Sequence, residues 1–150
     1  MLGKRPDGRR VLGVEPFDRV IPYVMDKRSG AQNMFHGSLP CEGMDAYIAK
    51  KKQEGIELNY MNLILAASIR TIAERPKLNR FIINGQIYAR HKIWLSFTIK
   101  RTLRGDATET TVKIPFEGTE TLQQIGDTID AEIQKVLCGE VTETDQVAKF

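Results

Sequence analysis

The sequence has few of the features that mark exported, disulfide-bonded or membrane proteins. Its 150 residues include only two cysteines, Cys41 and Cys138, without CxxC spacing. Two isolated cysteines exclude a disulfide framework, and we interpret them as ordinary reduced thiols. No apolar run approaches the roughly 20 residues that span a bilayer, and charges occupy the N-terminal stretch where a signal peptide would be apolar. We therefore expect a soluble, unexported protein of the cytoplasm that contacts no membrane.

Catalytic motifs are also missing. The chain contains no Gly-rich phosphate loop, no GxSxG and no HExxH. No carboxylate lies near His36 or His91 in the local sequence to orient either ring, so we interpret both as structural or surface histidines rather than general bases. Cys41 precedes a predicted helix, where a thiol can be activated, but an ordinary thiol is the interpretation we favour. We predict no catalytic residue, no metal site and no permanently bound cofactor.

Acidic residues are absent from one long central block. Residues 75–104 carry eight basic and no acidic side chains, whereas residues 105–150 carry ten acidic and three basic ones. Such a block can bind a phosphate-bearing partner. It can also face the acidic segment within the fold or simply face water, and this is the explanation we favour.

The hydrophobic content is sufficient for one folded domain. Hydrophobic residues make up 41% of the chain, which excludes wholesale disorder, and 150 residues correspond to about one domain. Residues 1–13 are basic, contain Gly and Pro and lack apolar periodicity, so we predict an N-terminal arm there and the domain over residues 14–150.

Apolar spacing predicts three clear helices. They cover residues 41–54, 61–75 and 122–137, and Asn59 is placed to cap the second. The second helix is apolar enough to be largely buried, and its predicted inner face comprises Met61, Leu65, Ile69 and Ile72. Two prolines interrupt Val14–Met25, which we expect to pack without forming one long helix. Residues from Thr142 onward are typical of the opening of a fourth helix.

Strand signals dominate the middle of the chain. Ala31–Ser38 is a short candidate strand, and Asn84-Gly85 predicts a two-residue hairpin turn. Residues 92–100 alternate between apolar and polar, and residues 109–116 are the expected antiparallel neighbour. The polar face of the first of these strands carries Trp94, Ser96 and Thr98, which could line a ligand channel or cover a second layer of the fold. The fold class predicted is α+β, with a mixed, largely antiparallel sheet and packed helices.

Three segments in this order carry a family resemblance: Met61–Ile72, Glu74-Arg-Pro-Lys-Leu-Asn-Arg-Phe81 and Ile83-Asn-Gly-Gln-Ile-Tyr88. Over about residues 15–150 the chain resembles the N-terminal half of the catalytic domain shared by chloramphenicol acetyltransferase and the acyltransferase component of 2-oxoacid dehydrogenase complexes. The resemblance implies a partial CoA-dependent acyltransferase-like fold and a homo-oligomer, a trimer in that family. It also implies CoA or acyl-CoA as a substrate, with an acyl carrier or a small molecule as acceptor.

The resemblance does not extend to the catalytic residues of that family. Its members use a His-x-x-x-Asp-Gly motif and a downstream Ser or Thr, and neither has a counterpart in this chain. We therefore expect the chain alone to be inactive. By resemblance, the strand with Trp94, Ser96 and Thr98 lies near the substrate channel. The basic block, represented by Lys92, Lys100 and Arg101, would meet the CoA phosphates.

Two other functions stay open. The chain could be a catalytically silent binding or scaffold module that keeps the fold and oligomerises. A nucleic-acid-binding domain is the least favoured alternative, and it would use the basic strands with Trp94, Tyr88 and Phe97 as stacking residues.

Overall fold

The computed structural model describes residues 5–25, 27–100 and 109–138. The strands described are β1 (Gly8–Arg10), β2 (Arg80–Ile83), β3 (Gln86–Arg90), β4 (Ile93–Lys100) and β5 (Glu109–Phe116). The α-helices described are α1 (Pro16–Val24), α2 (Glu42–Gln53), α3 (Tyr60–Glu74) and α4 (Leu122–Leu137), and short 3-10 turns cover Arg28–Ala31 and Pro76–Asn79. The predicted fourth helix from Thr142 onward lies outside the described residues.

All the strand pairs described are antiparallel, which confirms the α+β class. The strands do not form one sheet, however. They form a three-stranded sheet in the order β1-β3-β2 and a separate pair β4-β5. The division falls at residues 91–92, between β3 and β4.

Local turn chemistry builds the β2-β3 hairpin. Asn84 has φ 50° and Gly85 has φ 69°, and a type I′ turn needs positive φ at both central positions. The pairing of Ile83 with Gln86 closes the turn directly. The predicted hairpin is therefore confirmed.

The core lies between the β4-β5 pair and the two longest helices. The predicted antiparallel pairing of these strands is confirmed, and Ile93 pairs with Phe116 at one end of the ladder and Lys100 with Glu109 at the other. The inner face of this pair packs against α3 and α4, with these buried side chains at the centre: Ile69, Ile93, Val112, Ile114, Phe116, Ile125, Ile129 and Val136.

Helix α3 covers Tyr60–Glu74, within one residue of the predicted bounds, but is less buried than predicted. The Asn59 side chain accepts a hydrogen bond from the Asn62 N–H at 2.9 Å, which confirms the cap. Ile69 is 2% exposed, but Ile64 is 57% exposed and Met61 39%. The largely buried helix and the inward position of Met61 were wrong, because α3 packs on one side only and Asn62 occupies the buried position in its first turn.

Helix α4 has a complete capping box. The Thr121 Oγ1 accepts from the Gln124 N–H, and the Gln124 Oε1 accepts from the Thr121 N–H. Its inner face carries Ile125, Ile129 and Val136 into the core. The predicted helix over 122–137 is confirmed.

Three segments near the N-terminus differ from expectation. Within residues 1–13, predicted as an arm, β1 pairs with β3. Helix α1 is continuous through Pro22, so the expected interruption is wrong. Pro16 occupies the first turn, where its missing N–H costs nothing, whereas Pro22 removes one backbone hydrogen bond from the second half of the helix. The strand predicted at Ala31–Ser38 is wrong: beyond the 3-10 turn the segment has no secondary structure and pairs with no described strand.

Candidate functional site

The outer face of the β4-β5 pair carries the predicted channel residues. Trp94, Ser96 and Thr98 alternate with core residues and are all exposed. Because successive side chains on one strand face lie about 6.6 Å apart, the three form a continuous row. The structure thus brings together an indole ring and two hydroxyl groups on one open face.

Strand β5 completes this face with residues that the sequence analysis missed. In the ladder, Ser96 pairs with Lys113 and Thr98 with Thr111. The Lys113 ammonium lies 4.7 Å from the centre of the Trp94 ring, in cation-π geometry. The period-two alternation of residues 109–116 could have predicted Lys113 on the outer face, because the residues on either side of it are apolar and are buried in the structure.

The two predicted phosphate-binding lysines in the described residues lie far apart. Lys92 and Lys100 flank opposite ends of β4, about 26 Å apart by the ordinary rise of a strand. The Lys92 ammonium lies 3.1 Å from Glu117 and the Lys100 ammonium 3.1 Å from Glu109. Both pairs are exposed, so each contributes little to stability. Arg101 lies outside the described residues, and the predicted contact with CoA phosphates stays a prediction.

Two arginines contact aromatic rings, Arg90 of the basic block and Arg5 near the N-terminus. The Arg90 guanidinium lies 4.6 Å from the centre of the Phe81 ring, and Phe81 stacks on Tyr88 at 5.5 Å. Arg5 lies 5.9 Å from both ring centres, and its hydrogen bond with Asp7 raises the pKa of Arg5 and lowers that of Asp7. Of the three proposed nucleic-acid stacking residues, Tyr88 is therefore engaged with Phe81.

The remaining two stacking residues lie on opposite faces of β4. Phe97 packs against the core. Trp94, 40% exposed, lies on the outer face. The three aromatic side chains therefore do not form one exposed stacking surface.

The histidines and cysteines lie apart from this face. His36 is in the exposed segment before α2, and His91 is exposed between β3 and β4. Within residues 5–25, 27–100 and 109–138, neither imidazole has a carboxylate at hydrogen-bond distance, and no cluster of three or more His, Cys, Asp or Glu could hold a metal ion. Cys41 and Cys138 are exposed free thiols.

A second surface feature is an apolar groove between α2 and α3. Its volume is about 930 Å³, and its lining includes Leu39, Met44, Tyr47, Leu63, Ile64 and Thr71. The groove was not predicted from the sequence, because the apolar spacing of α3 indicated that these residues face the interior. Tyr60 donates a hydrogen bond to the Asp45 carboxylate, which ties the two helices together and raises the pKa of Tyr60.

None of the helices in the described part of the chain is both long and apolar enough to cross a bilayer. No protein-family profile, curated protein or solved structure matches the chain. The resemblance to CoA-dependent acyltransferases therefore rests on its sequence motifs and stays a prediction.

Proposed function

We propose that this chain is an acyltransferase-like module that binds CoA or acyl-CoA on the outer face of β4-β5 and does not itself catalyse acyl transfer. The observation that carries the proposal is the Trp94, Ser96, Thr98 and Lys113 group on that face. The order of α3, the Asn-Gly hairpin, the β4-β5 pair and α4 agrees with the order expected from the resemblance.

The groups on this face suit the parts of a CoA molecule. An exposed indole stacks on a flat heteroaromatic ring such as adenine. The Lys113 ammonium beside it attracts phosphate groups. The hydroxyls of Ser96 and Thr98 donate to and accept from amide groups, which the pantetheine arm contains.

We expect no turnover because neither histidine is held in position to act as a general base. General-base catalysis requires an imidazole held in position, and positioned proton transfer contributes about 10²–10⁴-fold to rate. His36 and His91 are both exposed, and among the described residues no carboxylate orients either ring. The chain also lacks the His-x-x-x-Asp-Gly motif of the family it resembles.

Binding is tested by calorimetric titration of CoA. We expect Trp94→Ala to weaken binding by at least about tenfold, because base stacking on an aromatic residue is worth about 1–3 kcal/mol. The matched control is Tyr47→Ala, since Tyr47 is as exposed as Trp94, at 40%, and lies on α2 away from the face. Equal affinities of wild type and Trp94→Ala would contradict the proposed site.

Activity is tested by release of free thiol from acetyl-CoA. We expect no turnover above the uncatalysed rate. Turnover that survives both His36→Ala and His91→Ala would contradict our account of the missing base. Turnover abolished by one of these substitutions would identify that histidine as a base.

The apolar groove favours a second candidate, a catalytically silent oligomeric binding or scaffold module. An open apolar surface between two helices is typical of a protein interaction site. This candidate predicts no CoA binding at all, so the titration above distinguishes the two. Self-association is expected in both cases.

A further inference from the structure

A second, polar cavity lies between α1, the chain after β1 and the turn of the β2-β3 hairpin. Its volume is about 310 Å³, near the lower limit for small-molecule pockets. Four side chains in its wall are hydrogen-bond donors: Arg10, Arg19, Tyr23 and Gln86. We infer that this cavity binds a small molecule through an oxyanion group, a phosphate or a carboxylate.

The charge of the cavity wall carries the inference. Both charged side chains in the wall are arginines, and no Asp or Glu lines it. Within residues 5–25, 27–100 and 109–138, neither Arg10 nor Arg19 forms an ion pair with a carboxylate. Two unneutralised guanidinium groups in one concave site attract an anion. Arginine presents paired N–H groups that match the oxygens of phosphate or carboxylate.

Two contacts hold the cavity wall in place. The Arg19 Nε donates to the Val14 carbonyl at 3.0 Å, and its Nη2 donates to the Leu12 carbonyl at 3.3 Å. These bonds fix the guanidinium against the backbone that follows β1. The Tyr23 hydroxyl lies against the hairpin turn, since a Cβ on Gly85 would come within 2.6 Å of it. The wall is thus formed before any ligand enters, which lowers the entropy cost of binding.

Two adjacent arginines of β1 provide a test position and its matched control. Arg9 and Arg10 are both exposed neighbours on one strand, so their side chains point to opposite faces. Arg10 lines the cavity and Arg9 does not. Removal of either changes the net charge equally, so a difference between them reports on the cavity alone.

The test is calorimetric titration of the full chain with inorganic phosphate and, separately, with succinate, at matched ionic strength. We expect saturable binding of at least one of them. We expect Arg10→Ala to weaken it by at least about tenfold, and Arg9→Ala by less than about twofold. Binding of phosphate alone assigns a phosphate ester as the ligand class. Binding of succinate alone assigns a carboxylic acid.

Two outcomes overturn the inference. One is the absence of saturable binding of either anion to the wild-type chain. The other is equal weakening by Arg9→Ala and Arg10→Ala, which would show only a diffuse attraction to positive charge. A second variant, Arg10→Lys, keeps the charge and removes the paired N–H groups. It should lower affinity by about threefold or more, and circular dichroism checks that each variant is folded.

The inference is independent of the proposed CoA site. The outer face of β4-β5 and this cavity share no residue. Trp94→Ala should therefore leave the affinity for phosphate or succinate unchanged. A negative result for one site therefore does not contradict the proposal for the other site.

Discussion

Ile69 is the residue on which the packing of α3 depends most. It is 2% exposed and belongs to the core formed with β4, β5 and α4. We predict that Ile69→Ala lowers the free energy of unfolding by about 2–5 kcal/mol, because it removes buried methyl groups and leaves a cavity. Ile64→Ala, on the 57% exposed side of the same helix, should change it by no more than about 0.5 kcal/mol. Urea denaturation measures both, and equal losses would contradict the packing described.

Gly85 is the residue at which backbone conformation and a side-chain contact coincide. Its φ is +69°, and an added Cβ would lie 2.6 Å from the Tyr23 hydroxyl. We predict that Gly85→Ala destabilises the chain by about 1–3 kcal/mol. Gly13→Ala is the control, because Gly13 has no atom within 4 Å of the added Cβ and no positive φ.

The expected destabilisation at Gly85 has two causes that can be separated, the positive φ and the contact with Tyr23. Tyr23→Ala removes the whole ring, whose Cζ would also lie 2.9 Å from the added Cβ, but leaves the backbone strain. Gly85→Ala should therefore cost less in the Tyr23→Ala background than in the wild-type chain. Thermal unfolding of the four variants measures the difference, and an unchanged cost would assign the whole effect to φ.

At the residue scale, the features that could be predicted are those fixed by local chemistry. Asn59 caps α3 because an amide oxygen next to free N–H groups needs no distant partner. Asn84 and Gly85 form the hairpin turn because both tolerate positive φ. Asn62 could not be predicted as buried, because its environment depends on α4, where Gly126 leaves room for its side chain.

At the scale of elements, strands were predicted correctly where the strand and its pairing partner both show an alternating pattern of apolar and polar residues. The β4 and β5 strands alternate over eight residues each and pair with one another. The segment 31–38 contains one strand-forming residue, Phe35, and pairs with no described strand, and a lone strand is not stable. Strand β1 shows the converse, because only its pairing with β3 makes a basic, Gly-containing stretch extended. The outer face of β4 was predictable from alternation, whereas the arginine cavity needs β1, α1 and β3 together.

The turn that leads into α4 depends on an ionised side chain. The Glu120 carboxylate accepts hydrogen bonds from the Glu117 N–H at 2.7 Å and the Gly118 N–H at 2.8 Å. Partial burial by itself would raise the pKa of Glu120, but the backbone N–H groups of residues 117–120 together outweigh it and lower the pKa below its ordinary value of about 4.5. A carboxyl group whose pKa is lower in the folded state stabilises the fold above the unfolded pKa. This contribution is lost as the pH falls through the folded pKa.

We predict a corresponding pH dependence for Glu120→Gln. The stability difference between wild type and this variant should be constant above about pH 5 and should shrink below about pH 4.5, as the wild-type carboxyl becomes protonated. Urea denaturation over about pH 3–7 measures it. Thr119→Ala, in the same turn, serves as the control for loss of a side chain without loss of charge. A difference independent of pH would show that the carboxylate charge does not stabilise the turn.

At the scale of the whole molecule, some charges of the basic block are paired with charges of the acidic segment within the fold. Lys92 of the basic block pairs with Glu117, which directly follows β5, and Lys100 pairs with Glu109, the first residue of β5. The contact with the acidic segment that we favoured is thus present at these two positions. Arg90, by contrast, lies over the Phe81 ring. Like Arg90, the arginines of the cavity beside α1 form no ion pair among the described residues, but they share one concave site.

The exposed apolar surface leads to the last prediction, which rests on the proposed function. Besides the groove between α2 and α3, α1 exposes Phe17 at 77% and Val24 at 72%. An open apolar groove rimmed by polar residues is typical of an interaction site. We predict that the chain self-associates, as measured by sedimentation velocity over a range of concentrations. Ile64→Glu should shift the equilibrium to the monomer by placing a charge in the groove.

Leu78→Glu is the control, because Leu78 is 61% exposed and lies outside the groove. A wild-type chain that is monomeric at every concentration would remove the support for an oligomeric module, and equal effects of the two substitutions would show that the groove is not the contact surface.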